Sequence, residues 1–123
     1  MPKKQRESLD DEMNIKRNEV LNVLNLNVAL CLLKKDMANE AIKHCKEAID
    51  ITKDNPKAYY RLFLAFKINN DLDRAKENLY KAIELSPNDM AMRKEYKQLC
   101  DVKTAKEKEW QSKMSGFYNA QKL

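Results

Sequence analysis

The chain has 123 residues but only one glycine and three prolines, which favours an all-α protein and excludes a glycine-rich nucleotide-binding loop. Its 24 Lys and Arg exceed its 19 Asp and Glu by a margin too small to make nucleic acid the leading partner. The three cysteines form no CxxC pair, and no segment has the length and apolar character of a signal peptide or membrane span. We therefore expect a cytoplasmic protein without a membrane association.

Five helices are predicted along the chain, separated by turns rich in Asn, Asp, Ser and Pro. Their predicted ranges are 8–35, 38–52, 56–68, 72–85 and 89–115. The first is expected to begin at a capping box formed by Ser8 and Asp11. The third is expected to begin at Pro56, which suits the first turn of a helix. The last is expected to stop at Gly116, because glycine commonly terminates helices.

An internal repeat organises the middle of the chain. Aligning NEAIKHCKEAIDITKDNPK with DRAKENLYKAIELSPNDMA needs an offset of 34 residues and no gap, and 34 is the period of the tetratricopeptide repeat, a helix-turn-helix unit. The aligned pairs include Ala41 with Ala75, Cys45 with Leu79, Ala48 with Ala82, and Ile49 with Ile83. We therefore predict an all-α fold, a tetratricopeptide-repeat solenoid of helical hairpins with a long C-terminal capping helix.

The predicted domain boundaries follow from this period. Residues 22–55 and 56–89 are the two repeats, residues 1–21 are a partial helix that ends a preceding repeat, and residues 90–123 are the capping helix and tail. Phe63 stands where glycine is usual, at the crossing of the two helices of a repeat, so either the crossing opens or the ring turns toward a neighbour. The residues expected to cover the second repeat are Met92, Tyr96, Leu99 and Cys100.

Residues 59–66 are apolar except for Arg61, and Lys57 lies one helical turn before that arginine; this pair of positive charges indicates a binding site. Lys57 and Arg61 are four residues apart and so share one helix face, and the 34-residue period places Asn27 beside Arg61 in the concave groove lined by the first helix of each repeat. The predicted apolar neighbours in this groove are Leu26, Leu30, Tyr60 and Leu64. A guanidinium, an ammonium and an amide beside an apolar wall suit the carboxylate at the end of a peptide.

The segments LNLNVALCLLK and NPKAYYR resemble the carboxylate-clamp repeats of the large immunophilins, the FK506-binding-protein and cyclophilin types, and KEKEWQSKMSGFY resembles the end of the last helix in those proteins. The resemblance implies that Asn27, Lys57 and Arg61 match three clamp residues that hold the C-terminal Met-Glu-Glu-Val-Asp tail of the ninety-kilodalton, or the seventy-kilodalton, cytosolic heat-shock chaperone. Two further clamp residues would lie on the first helix of an earlier repeat, which this chain lacks. Any prolyl isomerase domain would lie outside the chain, so no enzyme activity is expected.

Two alternatives to peptide binding remain open. One is a structural scaffold that self-associates through uncovered apolar surface. The other is binding of calmodulin or nucleic acid by the basic last helix, which carries Trp110, Met114 and Phe117. No cofactor and no metal are expected: His44 has no suitably spaced ligand partner. Cys31 and Cys45 occupy positions typical of the core.

Overall fold

The computed structural model describes the backbone of residues 3–121, and their side chains except at 5–7, 102–108, 111 and 114–121. Within residues 3–121 it contains helices and no strand, which confirms the predicted all-α class. The helices are α1 Lys3–Lys34, α2 Ala38–Ile51, α3 Pro56–Ile68, α4 Leu72–Leu85 and α5 Met90–Gln121. The chain divides into two compact units, residues 1–88 and 89–123.

The first unit contains two helical hairpins that stack on each other. Helix α1 contacts α2 and α3 contacts α4 within the hairpins, while α2 and α1 both contact α3 between them. This is the predicted solenoid arrangement, in which each hairpin buries a face that it cannot bury alone. The fully buried residues are dominated by alanines, whose small side chains let neighbouring helices approach closely. The fully buried alanines are Ala29, Ala41, Ala48, Ala58, Ala65, Ala75 and Ala82.

The turns inside the two hairpins repeat the same backbone geometry. Asp36 has φ 59° and Asn70 has φ 58°, and the two residues are separated by the repeat period of 34. Each follows the end of a helix in the left-handed conformation, which Asp and Asn tolerate better than most residues. In each turn the N–H of the following residue donates a hydrogen bond to a carbonyl oxygen of the preceding helix. The Met37 N–H donates to Leu32 O at 2.9 Å, and the Asp71 N–H donates to Phe66 O at 2.9 Å.

The predicted bounds of α3 and α4 are confirmed, and their starting residues explain why. Asn55 precedes α3 and its side chain accepts a hydrogen bond from the Lys57 N–H at 3.0 Å, with Pro56 in the first turn. Asp71 precedes α4 and accepts one from the Arg74 N–H at 3.3 Å. These caps satisfy backbone donors that a helix leaves unpaired at its start.

The outer ends of the two long helices were predicted wrongly. Helix α1 begins at Lys3, so Ser8 lies inside it and does not cap it; the Lys, Gln, Arg and Glu residues before Ser8 are good helix formers and extend the helix. Helix α5 runs to Gln121, so its backbone continues through Gly116. A single glycine inside a helix costs only about 1 kcal/mol relative to alanine, and that is too little to end this helix.

Among the described side chains of the first unit, Phe63 is the largest that is fully buried. Its ring centroid lies 5.6 Å from that of Tyr60, with the planes tilted by 47°, and the Lys67 Nζ lies 5.8 Å from the Phe63 centroid. The ring therefore turns toward neighbours on its own helix. The equivalent position in the first hairpin holds Ala29, also fully buried, so the second hairpin encloses an aromatic ring where the first encloses a methyl group.

The second unit is built on α5. Its first turn is capped by Asp89, whose side chain accepts a hydrogen bond from the Met92 N–H at 3.1 Å. Trp110 is 64% exposed, and the side chains of Met114 and Phe117 lie outside the described residues. The coverage of the second repeat by Met92, Tyr96, Leu99 and Cys100 concerns the arrangement of the two units and stays a prediction. Among the described residues no helix has the length and hydropathy of a membrane span.

Candidate functional site

Helix α3 has one buried face and one accessible face, because its residues follow the helical period of about 3.6. The buried residues are Ala58, Tyr59, Leu62, Phe63, Ala65 and Phe66. The accessible or half-buried residues on the opposite face, which we call the α3 face, are Lys57, Tyr60, Arg61, Leu64, Lys67 and Ile68. The structure thus brings four of the predicted site residues, Lys57, Tyr60, Arg61 and Leu64, together on one helix surface.

The hydrogen bonds and ring contacts around residue 57 fix the start of α3. Beyond the Asn55 cap, the Tyr59 hydroxyl donates to the Lys53 carbonyl oxygen at 3.2 Å. The Lys81 ammonium, from α4, lies 5.3 Å from the centroid of the Tyr59 ring. Because Tyr59 is buried, these contacts join the first turn of α3 to the preceding turn and to α4. The backbone that carries Lys57 and Arg61 is therefore firmly held.

Arg61 is half-buried, and its guanidinium lies close enough to α2 to act on the buried Cys45 thiol. Burial raises the pKa of the Cys45 thiol to about 11, and the positive charge of Arg61 partly opposes this rise. The thiol is therefore neutral near pH 7 and does not compensate the arginine charge. Within the part of the chain that the structure describes, neither Arg61 nor Lys57 forms a salt bridge. Both charges are available to an anionic ligand.

The remaining predicted site residues lie on α1, which contacts α3. Asn27 is exposed and Leu30 is half-buried, so both are available at the surface. Leu26 is different: it is 5% exposed and belongs to a core cluster with Ala48 and Ala58. The prediction that Leu26 lines the groove is therefore corrected. The buried residues Asn22, Leu26, Ala29 and Leu33 have a spacing of four, three and four, which is a helical core stripe already visible in the sequence.

The two cysteines and the histidine of the first unit differ in their surroundings. Cys45 is buried, as predicted, but Cys31 is exposed. The residue one period after Cys31 is Ala65, which is fully buried because α3 packs against α1 and α2. His44 Nδ1 lies 3.2 Å from the Asn25 side-chain oxygen and joins α2 to α1. Among the described residues no cluster of potential ligands could hold a metal ion.

The family model for the tetratricopeptide repeat matches residues 56–89, the range given above for the second repeat. The peptidyl-prolyl cis-trans isomerase FKBP42 of Arabidopsis thaliana is 35% identical over 86 residues, 70% of this chain and 24% of that protein. The isomerase FKBP4 of Bos taurus is 28% identical over 107 residues, 87% of this chain and 23% of that protein. The chain therefore spans about a quarter of the length of these curated relatives.

Two solved structures share the fold. The C-terminal domain of a Plasmodium falciparum FK506-binding protein, described as containing tetratricopeptide repeats, superposes with a TM-score of 0.69 and 35% identity over 80% of this chain and 66% of that one. The first tetratricopeptide-repeat domain of human RPAP3 gives a TM-score of 0.65 and 25% identity over 71% and 68% of the two chains. Both likenesses agree with the hairpin stacking described above.

Proposed function

We propose that this chain, a tetratricopeptide-repeat domain whose relatives are the repeat regions of FK506-binding immunophilins, binds the C-terminal carboxylate of a partner protein through Asn27, Lys57 and Arg61. The observation that carries the proposal is the α3 face, where a half-buried arginine and a lysine one turn away have no salt bridge to any described residue. A partly desolvated cation without a counterion gains more from an incoming carboxylate than a solvated one does.

The three side chains suit a carboxylate in complementary ways. Arg61 offers a planar pair of N–H donors, Lys57 offers an ammonium, and Asn27 offers an amide donor from the adjacent helix. Hydrogen bonds to a charged group typically contribute about 1.5 to 3 kcal/mol each. Tyr60 and Leu64, half-buried on the same face, provide apolar surface for a ligand side chain. The arrangement selects a peptide end in preference to an internal segment.

The similarity to the immunophilins supports a chaperone as the partner. We propose that the ligand is the acidic C-terminal tail of a cytosolic heat-shock chaperone, of the Met-Glu-Glu-Val-Asp type, and that the chain acts in the cytoplasm as a co-chaperone interaction module. The isomerase activity in the names of FKBP42 and FKBP4 is not assigned to this chain, which matches about a quarter of their length and has a protein-interaction fold.

The test of this function is a comparison of a free-acid Met-Glu-Glu-Val-Asp peptide with its C-terminal amide. With three polar side chains on an open surface we expect a Kd on the order of tens of micromolar for the free acid. The amide should bind at least about tenfold more weakly, because it cannot accept charge-assisted hydrogen bonds. Isothermal titration calorimetry measures both, with a scrambled free-acid peptide as control. Equal affinities for the acid and the amide would refute the carboxylate site.

Self-association is a second candidate, favoured by an uncovered apolar face on α1. Leu24 is 53% and Val28 is 40% exposed. The residues one period later on α3, Ala58 and Leu62, are buried at the contact with the preceding hairpin. The α1 face is therefore the surface on which a repeat would normally stack, and it is left uncovered by the described residues of the first unit.

If this face pairs two copies, sedimentation velocity over about a hundredfold range of protein concentration should show a rising sedimentation coefficient. Val28→Glu should abolish the rise because a buried, unpaired carboxylate is costly. Glu40→Gln, an exposed change on α2, is the matched control and should leave the rise intact. A monomer at every concentration would contradict self-association.

A further inference from the structure

The α3 face carries a third cation beyond the pair assigned to the terminal carboxylate. Lys67 lies six residues after Arg61, which corresponds to about 9 Å along the helix axis at about 1.5 Å per residue. Leu64 lies between them on the same face, half-buried. Lys67 is exposed and forms no salt bridge with another described residue. The face therefore presents a positive charge at each end and apolar surface in the middle.

The position of the Lys67 ammonium is defined by a rigid neighbour. Its Nζ lies 5.8 Å from the centroid of the Phe63 ring, and Phe63 has no exposed surface. The same ring contacts Tyr60 with a centroid separation of 5.6 Å. Phe63 thus contacts both Tyr60 and Lys67 on the α3 face. Ala29, at the equivalent place in the first hairpin, has no ring to hold a cation in this way.

We propose that Lys67 is a second anion-binding position, which receives an acidic side chain of the same peptide whose terminal carboxylate lies at Arg61. This inference rests on the function proposed above. An extended peptide rises about 3.3 Å per residue, so a peptide that runs parallel to α3 spans the axial offset of about 9 Å between Arg61 and Lys67 with about three residues. The preferred ligand then has Asp or Glu about three residues before its C-terminal residue, with an apolar side chain between the two acidic groups.

A purely structural role for Lys67 makes a different prediction. Lys67 lies in the last turn of α3, where a positive charge stabilises the negative end of the helix dipole. Removal of the charge would then alter the melting temperature while leaving the ligand preference unchanged. A subsite for an acidic side chain instead makes the effect of the mutation depend on the charge of the peptide.

The experiment uses free-acid hexapeptides in which one Glu is placed two, three, four or five residues before the C-terminus, each paired with its Gln counterpart. Binding is measured by fluorescence polarisation with the unaltered chain, Lys67→Ala and Lys46→Ala, the last being an exposed lysine on α2. We expect a preference for Glu over Gln of about threefold to fivefold at low salt, greatest near the third position. Lys67→Ala should abolish the preference and Lys46→Ala should retain it.

The charge-reversed variant Lys67→Glu provides the second measurement. It should prefer a peptide with Lys at the favoured position over one with Glu, while a free terminal carboxylate is still required. The inference is overturned if Lys67→Ala weakens the Glu and Gln peptides equally, or if it weakens neither. If the amidated peptides bind as well as the free acids, or if no peptide binds, the terminal carboxylate site fails as well. That outcome is distinguishable from failure at Lys67 alone.

Discussion

Phe63→Ala is expected to lower the free energy of unfolding by about 3 to 5 kcal/mol, the usual cost of removing a fully buried aromatic ring. The ring has no exposed surface, and it contacts Tyr60 and supports the Lys67 ammonium. Alanine at position 63 would leave a cavity, because the packed helices around it can relax only in part to fill the space. Denaturant unfolding followed by far-ultraviolet circular dichroism measures the loss.

The matched control lies on the same helix. Ile68 is 42% exposed, so Ile68→Ala truncates an apolar side chain at the surface and should cost less than about 1 kcal/mol. Ala29→Gly, at the place equivalent to Phe63, tests whether the crossing in the first hairpin also depends on its small side chain. A loss below about 1 kcal/mol for Phe63→Ala would show that the ring is not part of the core.

Local sequence signals were sufficient to predict those features that depend only on residues close together in the chain. The bounds of α3 and α4 were predictable because Asn55, Pro56 and Asp71 supply the caps in the chain itself. Similarly, Lys57 and Arg61 had to share a face once α3 was a helix. Such features depend on the helical period and on hydrogen bonds between residues a few positions apart, so a single sequence contains them.

Burial could not be predicted by transferring positions from one repeat to the other. Cys31 and Ala65 are one period apart, yet Cys31 is exposed and Ala65 is buried. The difference arises because α3 has a preceding hairpin to pack against and the described residues of the first unit give α1 none. Leu26 was misplaced for a related reason: its helical spacing with other core residues of α1 is present in the sequence, but only the packing of α1 against Ala48 of α2 and Ala58 of α3 makes that stripe the buried one.

The sequence also could not predict the direction of the Phe63 ring or the proximity of Arg61 to Cys45. Both depend on the crossing angles of packed helices, which local propensity does not determine. The sequence identified Phe63 as unusual at a helix crossing, but the choice between an open crossing and a turned ring required the structure. The Lys67 ammonium lies over that ring, a contact between residues four apart that the helical period allows.

Arg61→Ala is expected to weaken binding of the free-acid peptide by about tenfold to a hundredfold, since it removes charge-assisted hydrogen bonds worth about 1.5 to 3 kcal/mol each. Lys57→Ala should have a smaller effect in the same direction, because Lys57 is exposed whereas Arg61 is half-buried. Neither change should alter the helicity or lower the free energy of unfolding by more than about 1 kcal/mol. Lys43→Ala on α2, exposed like Lys57, controls for the loss of one positive charge.

A thermodynamic cycle separates a direct contact from a general electrostatic effect. If the Arg61 guanidinium binds the terminal carboxylate, Arg61→Ala should weaken the free-acid peptide strongly and the amidated peptide hardly at all. A long-range electrostatic effect would weaken binding of both peptides, each in proportion to its own negative charge. The size of that effect would decrease as the salt concentration rises. Arg61→Lys should recover part of the affinity, because an ammonium keeps the charge but loses the paired donors of the guanidinium. If Arg61→Ala instead unfolded the chain, the half-buried guanidinium would be a structural group and the carboxylate site would have to be abandoned.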